Sequence, residues 1–235
     1  MTSTPIRRAP AALAALALSV GLAACGASGG GATQPAAQSA PAAQSELPVE
    51  SQPPQSTAPG QSATTGAQGC PTSAPDPLPA GETREVTIET DLGNIVIGVE
   101  ADLGPLAAGN FVALADCGFY DGVIFHRILP DFVIQGGDPT GTGSGGPGYE
   151  FPNDPVSVPY ERGVVAMANA GRDTNGSQFF IVLEEAGLPP DYSVFGRVTS
   201  GMEVADEISA GPSTGGQAGQ ALEPVAMNRV TVATP

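Results

Sequence analysis

The chain has 235 residues, and its 24 acidic residues outnumber eight basic residues, all of them arginine, to give a net charge of −16. A protein that binds nucleic acid through its phosphates needs a basic surface, so this charge excludes that class and we expect no nucleic-acid partner. Residues 26–83 are almost wholly Ala, Gly, Pro, Ser, Thr and Gln, whereas β-branched and aromatic residues concentrate after them, which predicts one disordered segment and one folded domain.

The first 24 residues predict an export signal. Arg7 and Arg8 precede an apolar stretch, residues 9–24, that is too short for a comfortable membrane span. Together with the box Leu22-Ala23-Ala24-Cys25, this segment resembles a bacterial lipoprotein signal, whose cysteine is lipidated and becomes the first mature residue. The resemblance implies an extracytoplasmic protein, lipid-anchored through Cys25 to the outer face of the cell membrane. An ordinary secretory signal with a chance cysteine is the alternative, and the export route stays open.

Residues 25–83 predict a mobile tether that begins at the lipidated cysteine. Their composition cannot bury enough apolar surface to offset the entropy of folding. A flexible coil of this length reaches about 40 Å on average. We therefore expect the tether to hold the folded domain, residues 84–235, away from the membrane.

The domain opens with a predicted β-hairpin and a helix. Val86, Ile88 and Thr90 alternate with polar neighbours, and a turn at 91–94 leads to a second apolar run at 95–99. The helix is predicted to start at Gly104-Pro105 and to stop at Gly118, with an apolar stripe at helical spacing formed by Ala108, Phe111, Val112 and Ala115.

The rest of the domain predicts short strands and one more helix. The strand candidates are 123–128, 132–136, 163–168, 178–183, 194–199 and 225–233, and the helix covers 201–209. Eight strands with two helices predict a mainly β fold. We expect a closed eight-stranded antiparallel barrel capped by two α-helices, because closure removes exposed strand edges.

Two strings carry a family resemblance. Residues 125–138 read FHRILPDFVIQGGD and residues 167–181 read MANAGRDTNGSQFFI. Both closely resemble the signature segments of the cyclophilin-type peptidyl-prolyl cis-trans isomerases, and the resemblance extends to 110–122, 141–151 and 194–196. It implies an eight-stranded barrel with a helix at each end, an enzyme that accelerates rotation about X-Pro bonds, and extended proline-containing polypeptides as substrates. We expect no cofactor, no metal and a monomer.

The resemblance agrees with the chemistry that Arg127 offers. Rotation about an X-Pro bond weakens amide resonance and leaves a lone pair on the proline nitrogen, so a catalyst needs a donor aimed at that atom and a pocket for the ring. Arginine is always charged and carries a rigid fork of N–H groups. Arg127 also stands at the family's catalytic position in the FHR string, which makes it the candidate catalytic residue.

The predicted substrate-binding residues come from their motif positions. Four apolar residues should form the proline pocket, since a pyrrolidine ring is bound mainly by burial and shape. Gln135 should hold the arginine and contact substrate, and an exposed backbone beside Gln178 should dock an extended peptide. The pocket residues are Phe132, Val133, Phe180 and Leu188, and the docking segment is Ala168, Asn169 and Ala170.

The segment around the pocket leucine departs from the family pattern. Many relatives carry a tryptophan just before that leucine and a histidine four residues after it, whereas this chain has Gly187 and Tyr192 at those positions, in a segment that is one residue shorter. Tyr192 can close the pocket and donate a hydrogen bond. Because that tryptophan contributes to cyclosporin binding in sensitive relatives, we expect cyclosporin to bind weakly here.

Histidine and cysteine offer less decisive signals. His126 is the one histidine, and because isomerisation transfers no proton we expect a hydrogen-bonded structural residue rather than a general base. With Cys25 lipidated, Cys70 and Cys117 remain. They form either a disulfide that pins the tether to the first helix or two free thiols.

Two classes of function follow from the sequence. The first is a membrane-tethered prolyl isomerase that assists the folding of exported proteins. The second is a non-catalytic proline-peptide binding module or envelope scaffold. The joint presence of Arg127, Phe132, Gln135 and Phe180 favours the enzyme.

Overall fold

The computed structural model describes residues 69–233. The predicted signal, the lipidation site Cys25 and the tether up to residue 68 lie outside the described residues. Within 69–233, no helix combines the length and apolar character that a membrane crossing requires.

Eight strands and two helices make up the described chain. In sequence order they are β1 (Thr83–Thr90), β2 (Gly93–Glu100), α1 (Pro105–Asp116), β3 (Arg127–Leu129), β4 (Val133–Gly136), β5 (Val164–Met167), β6 (Phe179–Val182), β7 (Val194–Ser200), α2 (Met202–Ser209) and β8 (Arg229–Ala233). The predicted number and type of elements are therefore confirmed.

The strands form one curled antiparallel sheet in the order β3-β4-β6-β5-β7-β2-β1-β8. Among the described strands, β3 and β8 end this order and do not pair with each other, so the predicted closure of the barrel is not confirmed. The two ends of the sheet leave an opening between β3 and β8. Backbone hydrogen bonds join the segments that precede these two strands and narrow this opening. The Phe125 amide donates to the Val225 carbonyl at 2.9 Å, and the Met227 amide donates to the Val123 carbonyl at 2.8 Å.

Two predicted strands at this opening were too long. The segment 123–128 contributes only an isolated bridge at Ile124 before β3 begins. The segment 225–233 changes partner at Asn228, whose amide donates to the Glu89 carbonyl at 2.7 Å. Before that residue the chain faces 122–125, and after it the chain pairs with β1, so one apolar run is divided between two partners.

The hairpin and α1 follow the predicted pattern. Val86 lies opposite Ile97 and Ile88 opposite Ile95, and all four side chains are buried. At the start of α1, the buried Asp154 carboxylate accepts the amides of the first turn from 47 to 48 residues away. A side chain on Gly104 would collide with this carboxylate and with the backbone of β7, which explains the glycine.

The alternation of side chains along β4, β5 and β6 creates two apolar clusters. In β6, Phe179 and Ile181 face the main core, whereas Phe180 and Val182 face a second cluster on the outer side of the sheet. The main core holds a group of aromatic rings around Phe111, whose centroid lies 5.1 Å from that of Phe179. The second cluster supports the cleft described below.

Residues 70–82, which we call the N-terminal strap, pack against α1. Cys70 and Cys117 form a disulfide, which resolves the two alternatives that the sequence left open. Leu78 is buried and its amide donates to the Pro105 carbonyl at 2.9 Å. The strap backbone lies so close to Gly109 that a β-carbon there would stand 2.4 Å from a strap carbonyl oxygen. The folded part of the chain therefore begins before the predicted boundary at residue 84.

Candidate active site

A cleft of about 780 Å³ lies on the outer face of the sheet, where β3, β4 and β6 meet the loops before β7 and β8. It brings together nine residues that the sequence predicted: Arg127, Phe132, Val133, Gln135, Ala168, Asn169, Phe180, Leu188 and Tyr192. The two other predicted residues, Ala170 and Gln178, line an adjoining cavity instead.

Arg127 begins β3 and is held by two neutral oxygen atoms. Its Nη1 donates to Gln135 Oε1 at 3.0 Å, because the two residues are directly paired across β3 and β4. Its Nη2 donates to the Gln217 carbonyl at 3.0 Å. Partial burial lowers the pKa of Arg127 from its ordinary value, but a guanidinium stays charged in proteins. The cleft therefore contains a fixed cation.

A chain of amides extends from the arginine into the adjoining cavity. Gln135 Nε2 donates to Gln178 Oε1 at 2.9 Å. Gln178 Nε2 in turn donates to the carbonyls of Gly143 and Gly145 at 3.0 and 2.9 Å. Gln178 thus orients Gln135, which orients Arg127.

The apolar wall of the cleft stands beside this polar chain. Phe180 is buried in β6, and its ring meets that of Tyr192 edge-on at a centroid distance of 5.6 Å. Phe132, Val133 and Leu188 complete the wall. The arrangement suits a small apolar ring held next to the guanidinium.

The predicted docking segment offers fewer free amides than expected. The Ala168 amide donates to the Gln178 carbonyl at 2.9 Å, and the Ala170 amide donates to Thr174 Oγ1 at 2.9 Å. The Asn169 side chain donates to the Asp191 carbonyl at 2.9 Å. Two of the three amides thus have partners within the protein, and a peptide must use the groups that remain.

The adjoining cavity has a volume of about 670 Å³ and shares Gln135, Ala168 and Asn169 with the cleft. Its opposite wall is the glycine-rich segment 143–150. A polypeptide in the cleft can therefore extend into a second, more polar space.

Sequence reasoning missed Leu129, Gly216 and Gln217 in the cleft. Leu129 follows Arg127 by two residues in the same strand, so period-two alternation could have found it. Gly216 and Gln217 belong to a loop that reaches β3 through the bridge between Arg127 and Gln220. No local pattern in the sequence signals a contact across that distance.

His126 is buried, and the prediction that it is hydrogen-bonded is not confirmed, although the nearby backbone of Ile124 acts to raise its pKa. Among the described groups, neither of its ring nitrogens has a hydrogen-bond partner. Burial lowers its pKa, an effect that Asp138 opposes and Arg127 adds to. Burial acts to raise the pKa of Asp138. Hydrogen bonds from amides of the surrounding loop and from the Thr140 hydroxyl outweigh burial and lower this pKa to about 2.

Comparison with known proteins agrees with this geometry. Residues 85–232 match the family described as cyclophilin type peptidyl-prolyl cis-trans isomerase/CLD. Peptidyl-prolyl cis-trans isomerase B of Bacillus subtilis is 51% identical over 120 residues, which cover 48% of this chain and 84% of the relative. Peptidyl-prolyl cis-trans isomerase ppi1 of Schizosaccharomyces pombe is 49% identical over 129 residues, which cover 52% and 83%.

Solved structures give the same result. A crystal structure of a Cryptosporidium parvum cyclophilin type peptidyl-prolyl cis-trans isomerase is similar with a TM-score of 0.60 and 32% identity, covering 65% of this chain and 99% of that one. The structure of that protein in the presence of the dipeptide Ala-Pro gives a TM-score of 0.59 and 33% identity, covering 64% and 99%.

Proposed function

The chain belongs to the cyclophilin-type peptidyl-prolyl cis-trans isomerases, and we propose that it turns X-Pro bonds of exported polypeptides in the cleft beside Arg127. The reaction is an isomerisation, in which substrate and product differ only in the rotation about one peptide bond.

The reaction needs electrostatic stabilisation of its transition state and a pocket that fits the proline ring. It does not need a nucleophile or a base. Amide resonance sets a barrier of about 18–20 kcal/mol to rotation, so uncatalysed exchange takes tens of seconds or more. In the transition state the resonance is lost and the proline nitrogen holds a lone pair. A donor that binds this lone pair stabilises the twisted bond more than either planar form.

The observation that carries the proposal is the way in which Arg127 is held. Its partners, the Gln135 side chain and the Gln217 carbonyl, are neutral, so they fix the guanidinium without cancelling its charge. The apolar wall next to it lowers the local dielectric and strengthens a charged hydrogen bond. One preorganised donor of this kind is worth about 3–4 kcal/mol, or roughly 10²–10³ in rate.

The other residues bind and orient the substrate. Phe132, Val133, Phe180, Leu188 and Tyr192 surround the proline ring. Gln135 contacts the substrate carbonyl as well as Arg127, and the backbone at 168–170 docks the extended chain beside Gln178. The cleft and the adjoining cavity share Gln135 and Asn169, which supports binding of several consecutive residues.

The test is the isomerisation rate of a short X-Pro peptide with wild type, Arg127→Ala and Arg229→Ala. Arg229 is an exposed arginine in β8 that lines neither cavity, so its removal controls for loss of one positive charge. We expect kcat/KM to fall roughly 10²–10³-fold for Arg127→Ala and to stay within twofold for the control. A fall of less than tenfold would refute the role of Arg127. Peptide binding without any wild-type rate enhancement would favour the binding module instead.

We also propose that the enzyme works outside the cytoplasm as a lipid-anchored monomer and assists folding there. The Leu22-Ala23-Ala24-Cys25 box behind an apolar stretch supports the anchor, and the Pro/Ala/Gly/Ser-rich tether supports action at a distance from the membrane. Anchoring predicts that a clickable palmitate analogue labels wild type and a Cys70→Ala/Cys117→Ala variant, whereas Cys25→Ser is unlabelled and leaves the membrane fraction. Labelling that survives Cys25→Ser, or an unlabelled wild type, contradicts the anchor.

A further inference from the structure

One wall of the cleft comes from a segment without regular secondary structure. Residues 187–192 carry Leu188 and Tyr192, and β7 begins only at Val194. A wall that binds a small ring must keep its shape, because each freely rotating backbone unit that becomes ordered on binding weakens affinity. Side chains from elsewhere in the fold must therefore hold this segment in place.

Tyr160 holds the last residue of the wall. Its hydroxyl donates to the Tyr192 carbonyl at 2.9 Å and accepts the Tyr192 amide at 3.0 Å. One hydroxyl thus satisfies both backbone groups of Tyr192. Tyr160 is 3% exposed, and its own backbone is paired with Ala186 in an isolated bridge. The Tyr160 hydroxyl is therefore held in one position, from which it can hold the backbone of Tyr192.

The same contacts orient the Tyr192 ring. Tyr160 packs against the two aromatic rings nearest to it in the apolar wall, with its ring centroid 6.3 Å from that of Tyr192 and 6.5 Å from that of Phe180. Tyr192 stands edge-on to Phe180 at an interplanar angle of 84°. Tyr160 itself does not line the cleft.

We propose that Tyr160 is a positioning residue for substrate binding, which fixes the backbone of Tyr192 so that its ring completes the proline pocket. This inference rests on the proposed use of the cleft as the substrate site. The neighbouring Asp191 carbonyl is held independently, by the side chains of Asn153 at 2.7 Å and Asn169 at 2.9 Å. Loss of the Tyr160 hydroxyl should therefore loosen Tyr192 and leave the rest of the segment in place.

The test compares Tyr160→Phe with wild type by NMR exchange spectroscopy on an X-Pro peptide, which yields both the Kd and the isomerisation rate of the bound peptide. We expect the Kd to rise about 3–10-fold, as for the loss of one or two hydrogen bonds, and the bound rate to stay within twofold. Thr90→Val is the matched control, because the Thr90 hydroxyl likewise donates to a carbonyl, that of Gly93 at 2.8 Å, and accepts an amide, that of Leu92 at 3.1 Å, and Thr90 lines neither cavity. Its Kd should not change.

A double-mutant cycle separates positioning from general destabilisation. In a Tyr192→Ala background, Tyr160→Phe should have no further effect on the Kd, although it should still lower stability. An unchanged Kd in Tyr160→Phe, or the same rise in both backgrounds, would overturn the proposal. Absence of isomerisation by wild type would instead contradict the proposed catalytic function. It would not affect the Tyr160 proposal, because the Kd values test that proposal independently.

Hydrogen exchange of wild type provides an arm that requires no variant to fold. The Tyr192 amide donates to a buried hydroxyl and should exchange at least tenfold more slowly than an unstructured amide. Exchange at the unstructured rate would overturn the proposal.

Discussion

Removal of the disulfide should weaken the fold without altering the active site. The bond joins Cys70 in the N-terminal strap to Cys117 after α1, a separation of 47 residues. A cross-link of this length removes loop entropy from the unfolded chain that is worth about 4 kcal/mol at 25 °C. For a domain of this size each kcal/mol shifts the Tm by about 2–4 °C, so Cys70→Ala/Cys117→Ala should melt about 8–16 °C below wild type.

The assays are thermal unfolding, which gives the Tm, and urea-induced unfolding, which gives the free energy, of oxidised wild type, reduced wild type and the double variant. The two samples without the bond should have the same midpoint, and reductant should not shift that of the double variant. Because neither cysteine lines the cleft or the adjoining cavity, kcat/KM at 25 °C should stay within twofold in all three. A free-energy difference of less than about 1 kcal/mol would refute the loop-entropy reasoning. A large loss of activity in folded protein would show that the strap influences the cleft.

Four further predictions concern single positions. His126 has a lowered pKa in the folded state, so its contribution to stability is full above about pH 6.5 and is lost as the pH falls toward its folded pKa. Urea unfolding at pH 7 and pH 5 should therefore show a smaller loss of stability for His126→Phe than for wild type, and equal losses would contradict this. Gly109→Ala normally stabilises a helix by roughly 0.5–1 kcal/mol, but here the β-carbon would collide with the strap, so the Tm should fall rather than rise. Gly187 is exposed with no atom near its absent β-carbon, so Gly187→Trp should fold normally and bind cyclosporin at least tenfold more tightly than wild type in a calorimetric titration. Unchanged affinity would refute the role assigned to the missing tryptophan. Gln135→Glu places a carboxylate against Arg127 and should lower kcat/KM at least tenfold although the contact is kept; a smaller fall than for Gln135→Leu would contradict the importance of the free charge.

The sequence predicted those parts of the protein that depend on local pattern. Alternation in β1 and β2 and the Pro105 start of α1 are local signals, and each element formed where expected. The cleft residues were predictable for a related reason, since most of them lie within two continuous motifs, 125–138 and 167–181.

Apart from Leu129, the features that sequence reasoning missed depend on contacts between distant segments. The hydrogen bond from Arg127 to Gln217 spans 90 residues, and the bond from Tyr160 to Tyr192 spans 32. The strap was assigned to the tether because its composition is polar and proline-rich. The strap is ordered because of the disulfide and because its backbone packs closely against Gly109. Neither contact can be predicted from amino-acid composition.

The acidity of the domain explains why the arrangement around Arg127 matters. Residues 84–235 contain 20 acids and six arginines. Within the described chain, four of those arginines lie within 4 Å of a carboxylate: Arg84, Arg162, Arg172 and Arg197. Arg127 instead contacts two neutral oxygens in the cleft. An acidic partner would hold the guanidinium equally well but would compete with the proline nitrogen for its charge. Neutral partners supply orientation alone, so in the proposed mechanism the electrostatic attraction of Arg127 remains available for the twisted X-Pro bond.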